Sequence, residues 1–218
     1  MNARSILFAR GTIVLCGAAI LLAAGCKKMP NRKPGFTAAI NAYYSTHPAC
    51  LWTDPVQFPA QVDKSDASEM AEYNALVDQG LLARSGAEKD PRRADEGEAV
   101  NHYDLSDKGR SAWTVDAQKP GYGNFCYGHR DVSSIDNWTP TDGSRGSTSV
   151  VNYHYTVKGA PAWATAIAAQ NVFPRLHADL SGPQVDQALL MSNGPGHGWQ
   201  VTSVRQMQVP GADGDASD

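Results

Sequence analysis

The sequence is short of the residues from which most active sites are built. Charged side chains make up only 19 % of its 218 residues, and Lys+Arg 19 against Asp+Glu 22 leaves a net charge of −3. That slightly acidic balance gives no electrostatic ground for a nucleic-acid partner. There are four cysteines, and no two stand as C-x-x-C. The six histidines never fall at H-x-x-x-H or H-E-x-x-H spacing, so a zincin-like pair is excluded. Neither G-x-S-x-G nor S-x-x-K occurs, which removes the usual serine-nucleophile signatures. Asn193 to Gly198 is rich in glycine, but Pro195 lacks a donor N–H and no Lys-Ser/Thr follows, so it is not a phosphate cradle. The apolar run Thr12 to Ala24 is too short for a comfortable membrane span. What remains is an ordinary globular composition, 42 % hydrophobic, with chain enough to bury a core in one domain or two small ones.

The N-terminus is the most specific part of what is present. Arg4 and Arg10 precede the apolar run without an acid, and Gly25-Cys26-Lys27-Lys28 ends it abruptly. A basic start, a short apolar stretch and a small-residue exit describe a secretory signal over residues 1–25. The exit Leu22-Ala23-Ala24-Gly25-Cys26 resembles the lipobox of bacterial lipoproteins. The resemblance implies cleavage before Cys26 and lipidation of that residue. With Lys27 next to it, it points to the outer membrane, facing the periplasm. Several acyl chains on one residue suffice for stable attachment, at about 0.8 kcal/mol per buried CH₂. The expected partner is therefore the membrane, reached through Cys26, with an envelope protein as a second candidate.

With that resemblance in place the cysteines divide. Cys16 leaves with the signal, Cys26 carries lipid, and Cys50 and Cys126 remain. In an oxidising compartment the simplest expectation is one disulfide between them. A metal pair or a nucleophilic thiol are the rival readings, but there is no C-x-x-C, and neither cysteine sits in a motif with a histidine base. Removing residues 1–25 takes away two arginines and no acid, so the mature chain holds 17 basic against 22 acidic residues, a net −5.

The mature chain reads as α+β, with a helical part followed by an antiparallel sheet and a packed helix. Residues 26–35 are basic and proline-containing and read as a tether. Residues 36–118 form the helical part, 119–208 the α+β part, and 209–218 an acidic tail without order. Phe36, Ile40 and Tyr43/Tyr44 give a helical stripe. Asp66-x-x-Glu69 marks a helix start and Gly80 its stop. The order helix, Gly80-Leu81-Leu82, polar excursion, Tyr103-Asp104-Leu105-Ser106-Asp107-Lys108-Gly109 resembles part of a winged helix over residues 66–113. DNA binding does not carry over, because Asp66 to Gln79 holds Asp66, Glu69, Glu72 and Asp78 and neither Lys nor Arg. Further on, Val151, Tyr153, Tyr155 and Val157 alternate with Asn152, His154, Thr156 and Lys158, as in a strand wet on one face. Strands are also expected around Asn124 to His129, Ser133 to Trp138, Asp186 to Met191 and Trp199 to Val204. Pro161 reads as a helix start, with Trp163 and Ile167 one turn apart. The run Phe125-Cys126-Tyr127-Gly128, Val151-x-Tyr153-x-Tyr155, Pro161-x-Trp163 and Phe173-Pro174 looks like that of uncharacterised bacterial envelope lipoproteins. It implies that both remaining cysteines belong to one module.

For function, the expectation is a lipid-anchored envelope protein with a non-enzymatic binding or structural role. No catalytic residue, metal or cofactor is assigned. The competing expectation is a periplasmic hydrolase with a site drawn from separate loops. A pocket combining two or more of His129, Asp131, His154 and Asp186 would favour it.

Overall fold

A computed structural model describes residues 31–85 and 100–206. The signal segment 1–25, Cys16, Cys26 and the tail 209–218 lie outside the described residues. The described residues from Arg32 onward belong to one compact unit. The chain is α+β, as its sequence pattern predicts.

The chain opens with helix α1, Lys33–Tyr44, followed by short strands β1, Ala49–Cys50, and β2, Val56–Gln57. Next come β3, Ala60–Asp63, helix α2, Ala67–Asp78, β4, Leu82–Ser85, and β5, Val100–Leu105. Helix α3, Asp107–Ala112, leads into β6, Trp113–Val115, and then the long β7, Tyr122–Trp138. After β8, Thr148–Lys158, two short helices follow, α4, Ile167–Val172, and α5, Pro174–Leu180. Strands β9, Gln184–Ser192, and β10, Trp199–Gln206, complete the order.

The larger sheet is antiparallel, in the order β1-β7-β8-β9-β10, with β2 and β6 also paired to β7. The smaller sheet is β3-β5-β4. The local signals that place α2 act as the sequence suggests. The Asp66 carboxylate accepts from the Glu69 N–H at 2.9 Å, and Gly80, at φ 71°, follows the last turn. Ser106 caps α3 by accepting from the Gly109 N–H at 2.9 Å.

Two cores result, and β7 runs through both. In the first, Tyr73 and Leu76 of α2 pack with Leu81, Leu82, Tyr103, Phe125, Tyr127, Trp163 and Phe173. In the second, Phe36, Ile40 and Tyr44 of α1 pack on Val132, Ile135, Val151, Tyr153, Ala188 and Leu190. The helix that sequence order groups with residues 36–118 therefore packs on the large sheet, and β1, β2 and β6 join that sheet as well. Arg32 and Lys33, read with the tether, contact the body. Arg32 donates to the Thr141 carbonyl at 3.1 Å and lies over the Trp199 ring. Lys33 donates to the Ile135 carbonyl at 2.6 Å.

Helix α1 touches both β7 and β10, so it spans the β7-β8-β9-β10 face. The β7–β8 ladder slips at Val132/Ser134 and again at Ile135/Asn137. At both places α1 supplies a missing partner. The Asn41 carboxamide oxygen accepts from the Val132 N–H at 2.9 Å, and Lys33 takes the Ile135 carbonyl.

Two expectations change. The strands expected at 124–129 and 133–138 are one continuous strand, β7, bent rather than broken. Pro161 opens a turn, not a helix: its carbonyl accepts from the N–H groups of Ala164 and Thr165. Trp163 is buried, while Ile167 starts α4 and is 77 % exposed, so the two share no helical face.

Candidate functional site

The strand β7 buries Gly123, Phe125 and Tyr127 and then Arg130 and Val132. The inward face changes parity at Gly128, which has φ 149°. A Cβ there would run into the Lys158 carbonyl, so the residue must be glycine. Strict alternation from Tyr127 would turn His129 inward. The shift instead leaves His129 exposed and buries Arg130 to 6 % exposure.

Arg130 is inserted between two aromatic rings, its guanidinium carbon 5.2 Å from the ring centres of both Tyr44 and Tyr155. Its Nη2 donates to Asp179 Oδ2 at 3.4 Å, and Asp179, on α5, is also buried. Two hydroxyls complete the carboxylate's shell: Tyr127 donates to Oδ2 at 2.7 Å and Tyr155 to Oδ1 at 2.8 Å. Arg175 stands one turn before Asp179 with its Nε 4.0 Å from Oδ2. A second buried carboxylate, Asp186, accepts from the Tyr44 hydroxyl at 3.3 Å, and that hydroxyl lies 2.7 Å from the Tyr153 hydroxyl. Arg130 Nε is buried with no hydrogen-bond partner.

The electrostatics follow from burial and partners. Burial, with Asp186 adding to it, pushes the Tyr44 hydroxyl up to about 12 against the lowering effect of Tyr153 and Arg130. Tyr127, Tyr153 and Tyr155 are driven higher still, by burial first and then by Asp179, Tyr44 or Asp186. Burial disfavours the Arg130 charge, but Asp179 and the surrounding tyrosines outweigh it and hold the guanidinium protonated. At neutral pH these tyrosines are hydrogen-bond donors and not bases. The network's chemistry is to hold one arginine rigidly in place.

Beside it runs a cleft of about 310 Å³. The Cys50–Cys126 disulfide lines it, a bridge between directly paired residues of β1 and β7. Arg130, Arg175, Val115 and Asp116 are also in its lining. The Asp116 N–H bonds to the Tyr122 carbonyl, eight residues of β7 before Arg130. Between them, Asn124 and Trp52 form a reciprocal pair. The Trp52 N–H donates to the Asn124 side chain at 3.2 Å, and the Asn124 amide donates to the Trp52 carbonyl at 2.6 Å.

The residues named for a hydrolase site are distributed differently. His154 lies on the wet face with its Nδ1 2.9 Å from Asp136, and His129 is exposed five residues away along β7 from the Ser134 that pairs with His154. Asp131 accepts from Asn41 at 3.1 Å. Asp186 is in the tyrosine network. None of the four lines the cleft. Among the described residues no group of three or more His, Cys, Asp or Glu could hold a metal ion.

Arg130, Asp179 and Arg175 were not legible as a set. One signal was available: tyrosines on the buried face of β8 bring hydroxyls inside, and each then needs a polar partner. Comparison with family models, with curated proteins and with solved structures finds no match to this chain.

Proposed function

We propose that this is a lipid-anchored bacterial envelope protein, tethered at Cys26 to the outer membrane and facing the periplasm, whose body is a non-enzymatic binding module. The observation that carries the reading is the cleft. Its lining combines a bridge that suits an oxidising compartment with an arginine held in place by a fully buried network. The lipobox-like Leu22 to Cys26 supports the anchor. The segment resembling a winged helix serves as scaffold in this reading, since α2 carries Glu69, Glu72 and Asp78 and no Lys or Arg to meet phosphates.

The anchor is tested by metabolic labelling with a radioactive fatty acid, followed by membrane fractionation. The full chain is expected to take up label and to sediment with outer membrane, and Cys26→Ser to lose both. Label retained by Cys26→Ser, or wild-type chain recovered in the soluble periplasm, overturns the anchor. An affinity-tagged chain recovered from solubilised envelope would carry the envelope partner with it, if a protein partner shares the role.

A further inference from the structure

Resting on the anchor proposed above, we infer that one end of the body lies against the anionic phospholipid headgroups of the bilayer that holds the lipid. That end is built from the start of α1 and the loops 139–147 and 193–198, and the cleft stands at the other. Chain length imposes the first constraint. Five residues separate Cys26 from Arg32, and six extended steps reach at most about 22 Å. A compact domain of this size measures roughly 40 Å across. The end that carries Arg32 therefore stays near the surface however the body turns. Arg32 is itself fixed to the body: it donates to the Thr141 carbonyl at 3.1 Å, lies over the Trp199 ring, and leaves no room for a Cβ at Gly143.

The chemistry of that end selects its occupant. Antiparallel order brings the end of β7, the start of β8, the end of β9 and the start of β10 together there. Ser192 joins the two loops into one surface. Its backbone bonds to Gly146 and Ser147, and its hydroxyl donates to the Gly143 carbonyl and accepts from the Gly194 N–H. The loops carry one acid, Asp142, and the exposed Arg145. The Ser144 N–H and hydroxyl hold the Asp142 carboxyl below its usual range, with Arg32 adding to them, so this acid answers one cation. Arg32, Arg145 and the tether's Lys27 and Lys28 set four cations against it, on a mature chain of net −5. Lys33 is engaged with the body and is not counted. β10 runs away from this end, and the acidic stretch with Asp213, Asp215 and Asp218 follows it in sequence. Each cation near an anionic leaflet strengthens attachment about fivefold. Trp138 and Trp199, half-buried beside Phe36, are amphipathic rings of the kind that gather at headgroup level. At the far end of α1, the Tyr44 ring meets Arg130 of the cleft lining. Twelve helical residues, about 18 Å, lie between.

The acylated chain, purified from membranes, is placed in nanodiscs of phosphatidylethanolamine with a quarter phosphatidylglycerol and a trace of headgroup-nitroxide lipid. NMR then reads the paramagnetic relaxation enhancement at each tryptophan indole N–H. With the two ends held a helix length apart, the enhancement at Trp138 and Trp199 is expected to exceed that at Trp52 about tenfold or more. Discs of phosphatidylcholine alone are expected to lower the Trp199 value about twofold or more, and Arg145→Ala to do the same in the anionic discs, with Arg145→Lys restoring it. The unchanged positions of the other indole signals show that each variant is folded, and the comparison of lipids needs no variant. A Trp199 no closer to the label than Trp52 overturns the proposal and leaves these loops to a protein partner. A Trp199 value indifferent both to phosphatidylglycerol and to Arg145 overturns the choice of anionic headgroups. The mass of the N-terminal fragment separates the two readings. A chain without acyl groups overturns the anchor and this orientation with it, whereas an acylated chain with Trp52 nearest the label overturns the orientation alone.

Discussion

Asp179 accepts from two tyrosine hydroxyls and one arginine in a place that is 3 % exposed. Replacing it with asparagine leaves the Arg130 charge buried without its counter-ion, and Asp179→Asn is expected to lose about 3–5 kcal/mol in urea denaturation. Tyr127→Phe removes one donor of the set and is expected to cost only about 1 kcal/mol in the same measurement. An equal loss for the two would mean that removing the counter-ion of Arg130 costs no more than removing one hydrogen bond to it. Gly128→Ala forces a side chain onto φ 149° and into the Lys158 carbonyl, and is expected to cost more than about 1 kcal/mol. The same glycine explains why Arg130 escaped a reading by alternation. Period-two counting is reliable only while the strand keeps its register, and one residue without a Cβ is enough to turn the next arginine inward. The disulfide, by contrast, was readable from cysteine number and compartment, because that inference needs no geometry.

At the scale of elements, periodic patterns survived where one face is buried over many residues. In β8 the residues Val151, Tyr153 and Tyr155 are inside and Asn152, His154 and Thr156 are half-buried between them, as their alternation requires. The stripe of Phe36, Ile40 and Tyr44 likewise gave α1, but nothing local says which sheet a helix will meet. Its partners Val132, Val151 and Leu190 lie far along the chain. Trp163 and Ile167 misled for the opposite reason. Two apolar residues four apart fit one helical turn, yet a turn closed on the Pro161 carbonyl separates them. Within α1, Asn41 has a role beyond packing, since its side chain bonds both the Val132 N–H and Asp131. Asn41→Ala is expected to cost about 1–2 kcal/mol and to speed hydrogen exchange at the Val132 amide selectively. Unchanged exchange there would show that β7 satisfies itself without the helix.

For the whole molecule, the buried tyrosines set an alkaline limit. In an unfolded chain their hydroxyls ionise near pH 10. In the folded protein Tyr44 keeps its proton to about 12, and Tyr127, Tyr153 and Tyr155 keep theirs longer. Their contribution is complete below about pH 10 and drains away as the pH climbs beyond it. Tyr73, which burial also raises, makes five such groups, and the fall approaches ~7 kcal/mol per pH unit. Urea midpoints measured across that range should drop together with the appearance of tyrosinate absorbance; absorbance rising while the midpoint holds would contradict the burial. The disulfide spans 76 residues and is worth up to about 4.5 kcal/mol by chain entropy, so Cys50→Ser/Cys126→Ser should unfold at markedly lower urea. The placement of α1 also has a consequence in time. It is the first described element to be made, and its bonds reach residues 90, 102, 109 and 142 positions later. Another partner, Trp199, stands at the start of the last described strand. Until that strand is made the helix has only part of its seat, so its packing is finished only when most of the described chain is present. Contacts between residues this far apart in sequence close late and slow the folding of the whole chain.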